Sequence, residues 1–349
     1  MDRERRMELP RIVVAHSGAV DRIAEICSHL KLRRRALIIC GTRTRGIVGE
    51  AIFDQLSESG FEPHIIITQR SRMDEVKKVE EHARELAMDF IIGAGGGRSI
   101  DLAKLASLHL DIPFISVPTA ASHDGICSSM ASLTVDGEAR SIPARAPLAV
   151  IADTSVIASA PARMLSAGCG DIISNHTAIM DWRLAHRLRN EEYSEYAAAL
   201  SNMTARMIVE LAPTIRPGLE ESAKVVIQAL ISSGVAMSIA GSSRPASGSE
   251  HMFAHSINRL SSCNALHGEL CGIGTIIMMY IHGGDWEMIK EALHQLKAPT
   301  TASQVGIDEE LLIEALTMAH KIRPERYTIL GTGLTKEAAI KAAETTEVI

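Results

Sequence analysis

The sequence predicts a two-domain chain: an α/β first part built on a parallel, helix-covered sheet, followed by an all-α second part. Three observations lead there. In about the first 150 residues, short β-branched runs alternate with amphipathic helical segments, the rhythm parallel strands need because each must be joined to the next by a crossover. After Leu148-Ala-Val-Ile-Ala152 the strand signals stop and long helical stretches take over. The length of 349 residues suits two domains better than one small core. The expected division is 1–155 for the α/β domain and 156–349 for the all-α domain.

The expected strands are Ala36–Cys40, His64–Thr68, Asp89–Gly93, Pro113–Val117 and Leu148–Ala152. Between them, the segment from Asp74 to Ala87 spaces Val76, Val79, Ala83 and Leu86 on one side and acids and bases on the other, as an outer-layer helix should. The second half reads as helices over Ala162–Arg187, Glu191–Leu211, Ala223–Ala240, His251–Leu260, His267–His282 and Asp308–Ile322. The Gly, Ser and Pro of Ala240-Gly-Ser-Ser-Arg-Pro-Ala-Ser-Gly-Ser249 predict a loop, then a cap for the helix beginning near His251.

Composition narrows the function classes. Hydrophobic residues make up 46% and charged residues 22%, enough apolar matter for a large core. Aromatics at 3% leave few flat rings for sugars or bases to stack on, which argues against a lectin or a nucleic-acid platform. The net charge of −6 is modest, and the basic run Lys31-Leu-Arg-Arg-Arg35 reads as a solvated turn. The N-terminal segment has no signal-peptide pattern, and no run of about 18 apolar residues is read anywhere, so a cytoplasmic protein without membrane insertion is expected. Six cysteines without a CxxC pair predict reduced thiols.

Three groups of residues could carry chemistry. The cluster Gly93-Ala-Gly-Gly-Gly-Arg-Ser-Ile-Asp-Leu-Ala-Lys104 follows a strand and opens a helix, so a chain without Cβ atoms and the free N–H groups of a helix start could face a diphosphate. It is neither GxGxxG nor a P-loop, and capping would equally explain Ser99 and Asp101. The segment Val117-Pro-Thr-Ala-Ala-Ser-His-Asp-Gly-Ile-Cys-Ser-Ser129 leaves a second strand on the same rim, and two such loops suggest a dinucleotide. In the helical half, Gly168-Cys-Gly-Asp171, Ser249-Glu-His-Met-Phe-Ala-His255 and Leu266-His-Gly-Glu269 offer an Asp and several His, a donor set suited to zinc with a position left for an oxygen. Cys263, His267 and Cys271 form a rival, sulfur-rich set on one continuous helix, disfavoured because the polar stretch Ser261–Asn264 and Gly268 predict a helix starting near His267.

Together these motifs resemble the sn-glycerol-1-phosphate dehydrogenase family, within the larger group that shares the glycerol dehydrogenase, iron-type alcohol dehydrogenase and dehydroquinate synthase fold. The resemblance runs from about residue 10 to about 345 and rests on Gly95–Asp101, Pro118–Gly125, Gly168–Asp171, Ser243–His251 and His267–Glu269. It implies a Rossmann-like first domain and an all-α second domain. It implies zinc on Asp171, His251 and His267, and substrate contacts at Asp124, Asp171 and His255, with Asp171 and His255 in catalytic roles. It implies NAD or NADP contacts at Gly97, Arg98, Ser99, Ile100, Asp101, Thr119, Ala120, Ala121, Ser122 and Ser128. Leu270 and Cys271 depart from the expected pattern after His-Gly-Glu and are expected to touch no ligand. The implied reaction is reduction of dihydroxyacetone phosphate to sn-glycerol 1-phosphate for ether-lipid backbones, by a homo-oligomer with no nucleic-acid partner. A polyol dehydrogenase, a cyclising synthase and a catalytically silent sensor on the same fold are the alternatives. The turn Gly41-Thr-Arg-Thr-Arg45 carries two arginines and no acid, which admits NADP beside NAD.

Overall fold

In the computed structural model, residues 7–135 and 138–349 are described. Met1–Arg6, part of the N-terminal segment read for a leader, lie outside the described residues. The chain divides into two compact units, residues 1–161 with 217–238, and residues 162–216 with 239–349.

The first unit carries a six-stranded sheet: β1 (Ile12–His16), β2 (Arg35–Cys40), β3 (Glu62–Ile67), β4 (Phe90–Gly95), β5 (Phe114–Pro118) and β8 (Ala149–Asp153), in the order β1-β8-β5-β4-β2-β3. Every pair in it is parallel. β4, β5 and β8 are buried along their whole length, as strands covered by helices on both faces must be. Ile38, Phe90, Ile92, Ile115 and Ile151 pack with Ile23, Cys27, Ile52 and Leu56 from helices α1 (Ile23–His29) and α2 (Glu50–Glu58). Helix α3 (Met73–Glu85) buries Val76, Val79 and Ala83, the stripe its spacing predicts, and α4 (Gly97–Leu110) follows β4 directly.

Two strand groups escape the sequence reading. β1 is a short, half-buried edge strand paired to β8. β6 (Met130–Val135) and β7 (Glu138–Pro143) pair antiparallel in a separate hairpin. The chain steps from β2 outward to β3, then returns past β2 to β4 and continues to β5. The strand order therefore reverses between β2 and β4, and in open α/β sheets the carboxyl ends at such a point are where ligands bind. The last residues of β4 and β5, Gly95 and Pro118, are register partners, so the glycine cluster and the Pro118–Ser129 loop do leave the same rim.

The second unit is helical: α5 (Ala162–Ile173), α6 (Asn175–Arg189), α7 (Glu195–Leu211), α9 (Ser249–Leu260), α10 (His267–Ile281), α11 (Trp286–Gln295), α12 (Glu309–Met318) and α13 (Lys336–Thr345), with α8 (Glu220–Ala240) lying almost wholly in the first unit. The single helix expected over 162–187 is two, separated at Ser174, whose hydroxyl donates to the Asp171 carbonyl at 2.6 Å. α8 also corrects the reading of apolar runs. It holds an 18-residue window with mean hydropathy 1.6, long and apolar enough to cross a membrane, yet 67% of that window is buried inside the protein, as in a core helix.

Candidate functional site

In the second unit two helices meet backbone to backbone. A Cβ on Gly268 would lie 1.9 Å from the Ala167 carbonyl oxygen, and one on Gly170 would lie 2.4 Å from that of Gly268. Only glycine allows this approach, and it carries Asp171, one residue past Gly170 on α5, to His267 at the first position of α10. Arg163 of α5 clamps the same junction, its Nε and Nη2 each 2.6 Å from the carboxylate of Glu269. α9 adds His251 in its first turn and His255 one turn on.

Asp171 Oδ1 lies 3.7 Å from His251 Nε2 and 3.8 Å from His267 Nε2. Donors about 2.1 Å from a tetrahedral zinc ion stand about 3.4 Å apart, so both separations are within a small side-chain adjustment of the edge of such a polyhedron. His251 is already oriented: its Nδ1 is 2.9 Å from Glu250 Oε1, which turns Nε2 toward the cluster. Glu250 is fully buried and also accepts from Thr177 Oγ1 at 2.7 Å and the Gly248 N–H at 2.6 Å. The donor set, one carboxylate and two imidazoles held at this spacing, fits zinc.

One expectation is corrected here. Cys271 does touch a matched residue, its Sγ 3.5 Å from His267 Nε2, and one donor atom from each of Asp171, His251, His267 and Cys271 lies within 4.8 Å of the others. Because α10 begins at His267, Cys271 falls one turn later on the same face. Cys263, in the coil before the helix, is outside the cluster, so the rival sulfur-rich set does not assemble.

His255 stands beside the cluster, its ring centroid 5.6 Å from that of His267 and 6.4 Å from that of His251. Its Nδ1 is buried and has no hydrogen-bond partner among the described residues. Burial, then the neighbouring His267, hold His251 and His255 well below the usual imidazole range, with Arg323 and Arg326 adding to both. Both rings are therefore neutral at pH 7.

The dinucleotide candidates all fall in the first unit. Gly97 opens α4, whose N-cap is Gly96 without a side-chain cap, so Ser99 and Asp101 do not cap it. Arg98 donates to the Gln69 carbonyl at 2.5 Å, and Ser99, Ile100 and Asp101 are buried. The Thr119 N–H donates to the Gly95 carbonyl at 3.0 Å, joining the two loops at their bases, and Ala120, Ala121 and Ser122 follow it. Beneath them Lys104, wholly buried, donates to Ser128 Oγ at 3.3 Å and the Met130 carbonyl at 2.7 Å, with Asp101 Oδ1 at 3.5 Å. Burial pushes Asp101 up to about 6, against the pull of Lys104. The sequence reading missed this role for Lys104, although its place one turn after Asp101 marks an i,i+3 pair. Asp124 Oδ2 accepts from Ser233 on α8 at 3.0 Å. The His123 imidazole lies over Gly97, where a Cβ would come within 2.1 Å of its Nε2.

Comparison with known proteins follows this geometry. Residues 14–161 match the family model described as iron-containing alcohol dehydrogenase. A glycerol-1-phosphate dehydrogenase of the NAD(P)+ type from Methanothrix thermoacetophila is 66% identical over 98% of this chain and 97% of its own. One from Methanosarcina acetivorans is 55% identical over 98% and 96%. Among solved structures, glycerol dehydrogenase from Schizosaccharomyces pombe superposes with a TM-score of 0.83 at 20% identity over 99% of this chain and 92% of that one. Maleylacetate reductase from Agrobacterium tumefaciens superposes with a TM-score of 0.75 at 15% identity over 99% and 98%. The two structural likenesses speak to the fold alone.

Proposed function

The chain belongs to the NAD(P)+-type glycerol-1-phosphate dehydrogenases, and on that premise we propose that it reduces dihydroxyacetone phosphate to sn-glycerol 1-phosphate with NADH or NADPH and a zinc ion. The observation that carries this reading is the convergence of Asp171, His251 and His267, at a spacing that suits zinc, in a chain this close to enzymes of that name. Asp171, His251 and His267 hold the metal; when bound, it supplies Lewis acidity at the carbonyl oxygen and the nicotinamide supplies the hydride.

The chain's own residues do the rest. The rim of β4 and β5, with Gly97–Asp101, Thr119–Ser122 and Ser128, binds the dinucleotide, with Lys104 fixing the floor beneath Ser128. For the cofactor to seat, the His123 ring moves off Gly97. Asp124, held by Ser233, accepts from a substrate hydroxyl. His255, neutral and with no partner for Nδ1 among the described residues, relays a proton to the substrate oxygen, giving one up from one ring nitrogen as it takes one from solvent at the other. Residues 1–155 serve the cofactor and 156–349 the metal and substrate, in a cytoplasmic homo-oligomer that makes ether-lipid backbones and binds neither nucleic acid nor membrane.

The test is oxidation of NADH and NADPH by zinc-loaded protein with dihydroxyacetone phosphate, then with dihydroxyacetone, followed by chiral analysis. Turnover of the phosphate, abolished by a chelator and yielding the sn-1 product, supports the reading. Turnover of the unphosphorylated ketone alone moves the protein to the polyol dehydrogenases. For His255, replacement by Ala lowers kcat by about 10²-fold with zinc content unchanged; wild-type turnover in that variant removes it from the reaction.

A further inference from the structure

Asp181 is a fully buried acid on α6 that the sequence reading passed over and that the proposed reaction does not use. Its carboxylate accepts from three separate stretches of the chain. Oδ2 takes the Ser249 N–H at 2.6 Å, and Oδ1 takes the Ile329 N–H at 2.6 Å. His282 Nε2 lies 3.0 Å from the same Oδ1, with only 7% of the histidine side chain exposed. Because a carboxylate only accepts, that ring nitrogen carries the proton.

Two of those partners belong to helices that carry metal donors. Ser249 is the first residue of α9, and His251 follows in the same turn. The residue before the helix, Gly248, has no side chain to cap it, so the Asp181 carboxylate answers an amide that the helix leaves free. Negative charge at that end also suits the helix dipole. The approach is close: a Cβ on Gly248 would lie 2.6 Å from Asp181 Oδ2 and 2.8 Å from the Ala178 Cα, so only glycine lets α9 begin against α6. His282 is the C-cap residue of α10, the helix whose first residue is His267. Arg163 and the Gly170–Gly268 contact hold the near end of α10, and Asp181 holds the far end.

We propose that Asp181 is a positioning residue for the metal centre: by holding the first amide of α9 and the C-cap histidine of α10, it sets where His251 stands relative to His267. This rests on the reading that Asp171, His251 and His267 hold zinc. The two imidazole Nε2 atoms lie 3.7 and 3.8 Å from Asp171 Oδ1. A zinc site tolerates little drift from there, because its donor distances must stay within about 0.2 Å of their ideal values. Glu250 orients the His251 ring, whereas Asp181 acts on the backbone that carries it. Without that carboxylate the start of α9 is free to shift, and zinc must draw it back on binding, at a cost in affinity.

The experiment compares wild type, Asp181→Asn and His282→Ala in two ways. Zinc affinity is measured by competition with a chelator dye under conditions where each protein is folded, and amide hydrogen exchange is followed in the metal-free state. Asp181→Asn keeps the shape but replaces an acceptor with a donor that faces an N–H. Exchange is expected to quicken in the first turn of α9 and around Ile329, and to stay unchanged over α4 in the first unit. Zinc affinity is expected to fall by about tenfold or more, as for other groups that act on a metal through its ligand, while kcat at saturating zinc returns to within about threefold of wild type. His282→Ala leaves both main-chain donors in place and lowers zinc affinity by about threefold. An acid that merely stabilised the fold would lower the denaturation midpoint and leave the zinc affinity of the folded protein alone. Affinity within about twofold of wild type in Asp181→Asn therefore overturns the proposal, and so does a kcat that stays low at saturating zinc. If Asp181→Asn fails to fold, His282→Ala decides alone, with unchanged affinity overturning the proposal. Wild-type protein that takes up no zinc brings down the metal reading itself, and this proposal with it.

Discussion

Each unit buries a charged cluster, and the two are arranged differently. In the first, Lys104 is enclosed by Asp101, Ser128 and the Met130 carbonyl, so each donor of the ammonium has a protein acceptor or counter-ion nearby. In the second, Asp171, His251, His267 and Cys271 bring donor atoms within 4.8 Å of one another, and His255 has a buried nitrogen with no hydrogen-bond partner among the described residues. A buried charge that is answered from within holds structure in place. Carboxylate, imidazole and thiol donor atoms gathered within 4.8 Å of one another form a set that suits a metal ion from outside.

Substitutions in the two clusters should therefore fail in different ways. The largest effect is expected from His251→Ala or His267→Ala, which remove an imidazole donor: metal content falls below one per chain and turnover drops by at least about 10³-fold, with the denaturation midpoint of metal-free protein little changed. A variant that kept its zinc and its rate would end the distinction drawn here. Lys104→Met should act instead on stability, costing about 3–5 kcal/mol in denaturant unfolding because it leaves Asp101 buried without its cation. The same variant carries a signed pH dependence. Asp101, already at about 6 through burial, loses the charge that pulls it down, so its folded-state pKa moves further above the unfolded value. The folded state then binds the extra proton, stability falls as pH rises through that window, and the deficit is larger at about pH 8 than at about pH 5. An unchanged deficit across that range would mean that Asp101 is not the group responsible.

A smaller effect sharpens the comparison within the second unit. Glu250→Gln keeps the shape beside His251 but weakens the acceptor that orients it, so zinc affinity measured by competition with a chelator dye should fall about 10–100-fold. Affinity equal to wild type would reduce Glu250 to a packing role. The smallest effect is expected from Cys271→Ala. If Asp171, His251 and His267 are the ligands and the fourth position belongs to substrate, zinc content and kcat should stay within about threefold of wild type. Loss of zinc in that variant would make Cys271 a fourth ligand and close the site.

The parallel strands were legible because β2, β4, β5 and β8 are buried on both faces and read as short apolar, β-branched runs. β1 was not, since a half-buried edge strand of five residues carries little pattern. The hairpin was missed even though Asp136-Gly137 between two strand-like runs is a recognisable turn signal. The break at Ser174 escaped because apolar spacing continues across it from Ile173 to Ala178.

In the donor cluster, Asp171, His251 and His267 were picked out from sequence because each lies in a compact motif with its own glycine or helix start. Cys271 was set aside and Arg323 and Arg326 passed unnoticed. Nothing local distinguishes an arginine bound to a carboxylate from one bound only to a serine and a carbonyl; that depends on which distant groups the fold brings up. Sequence alone determined the order of elements, the glycine positions and the residue types able to hold a phosphate or a metal, since periodicity and backbone permissiveness are local properties. Tertiary structure alone decided that Gly170 and Gly268 let α5 and α10 touch, that Cys271 comes within reach of the other three donors, and that two arginines share Ser243. Those outcomes depend on contacts between residues far apart in the chain, which packing selects and no local pattern encodes.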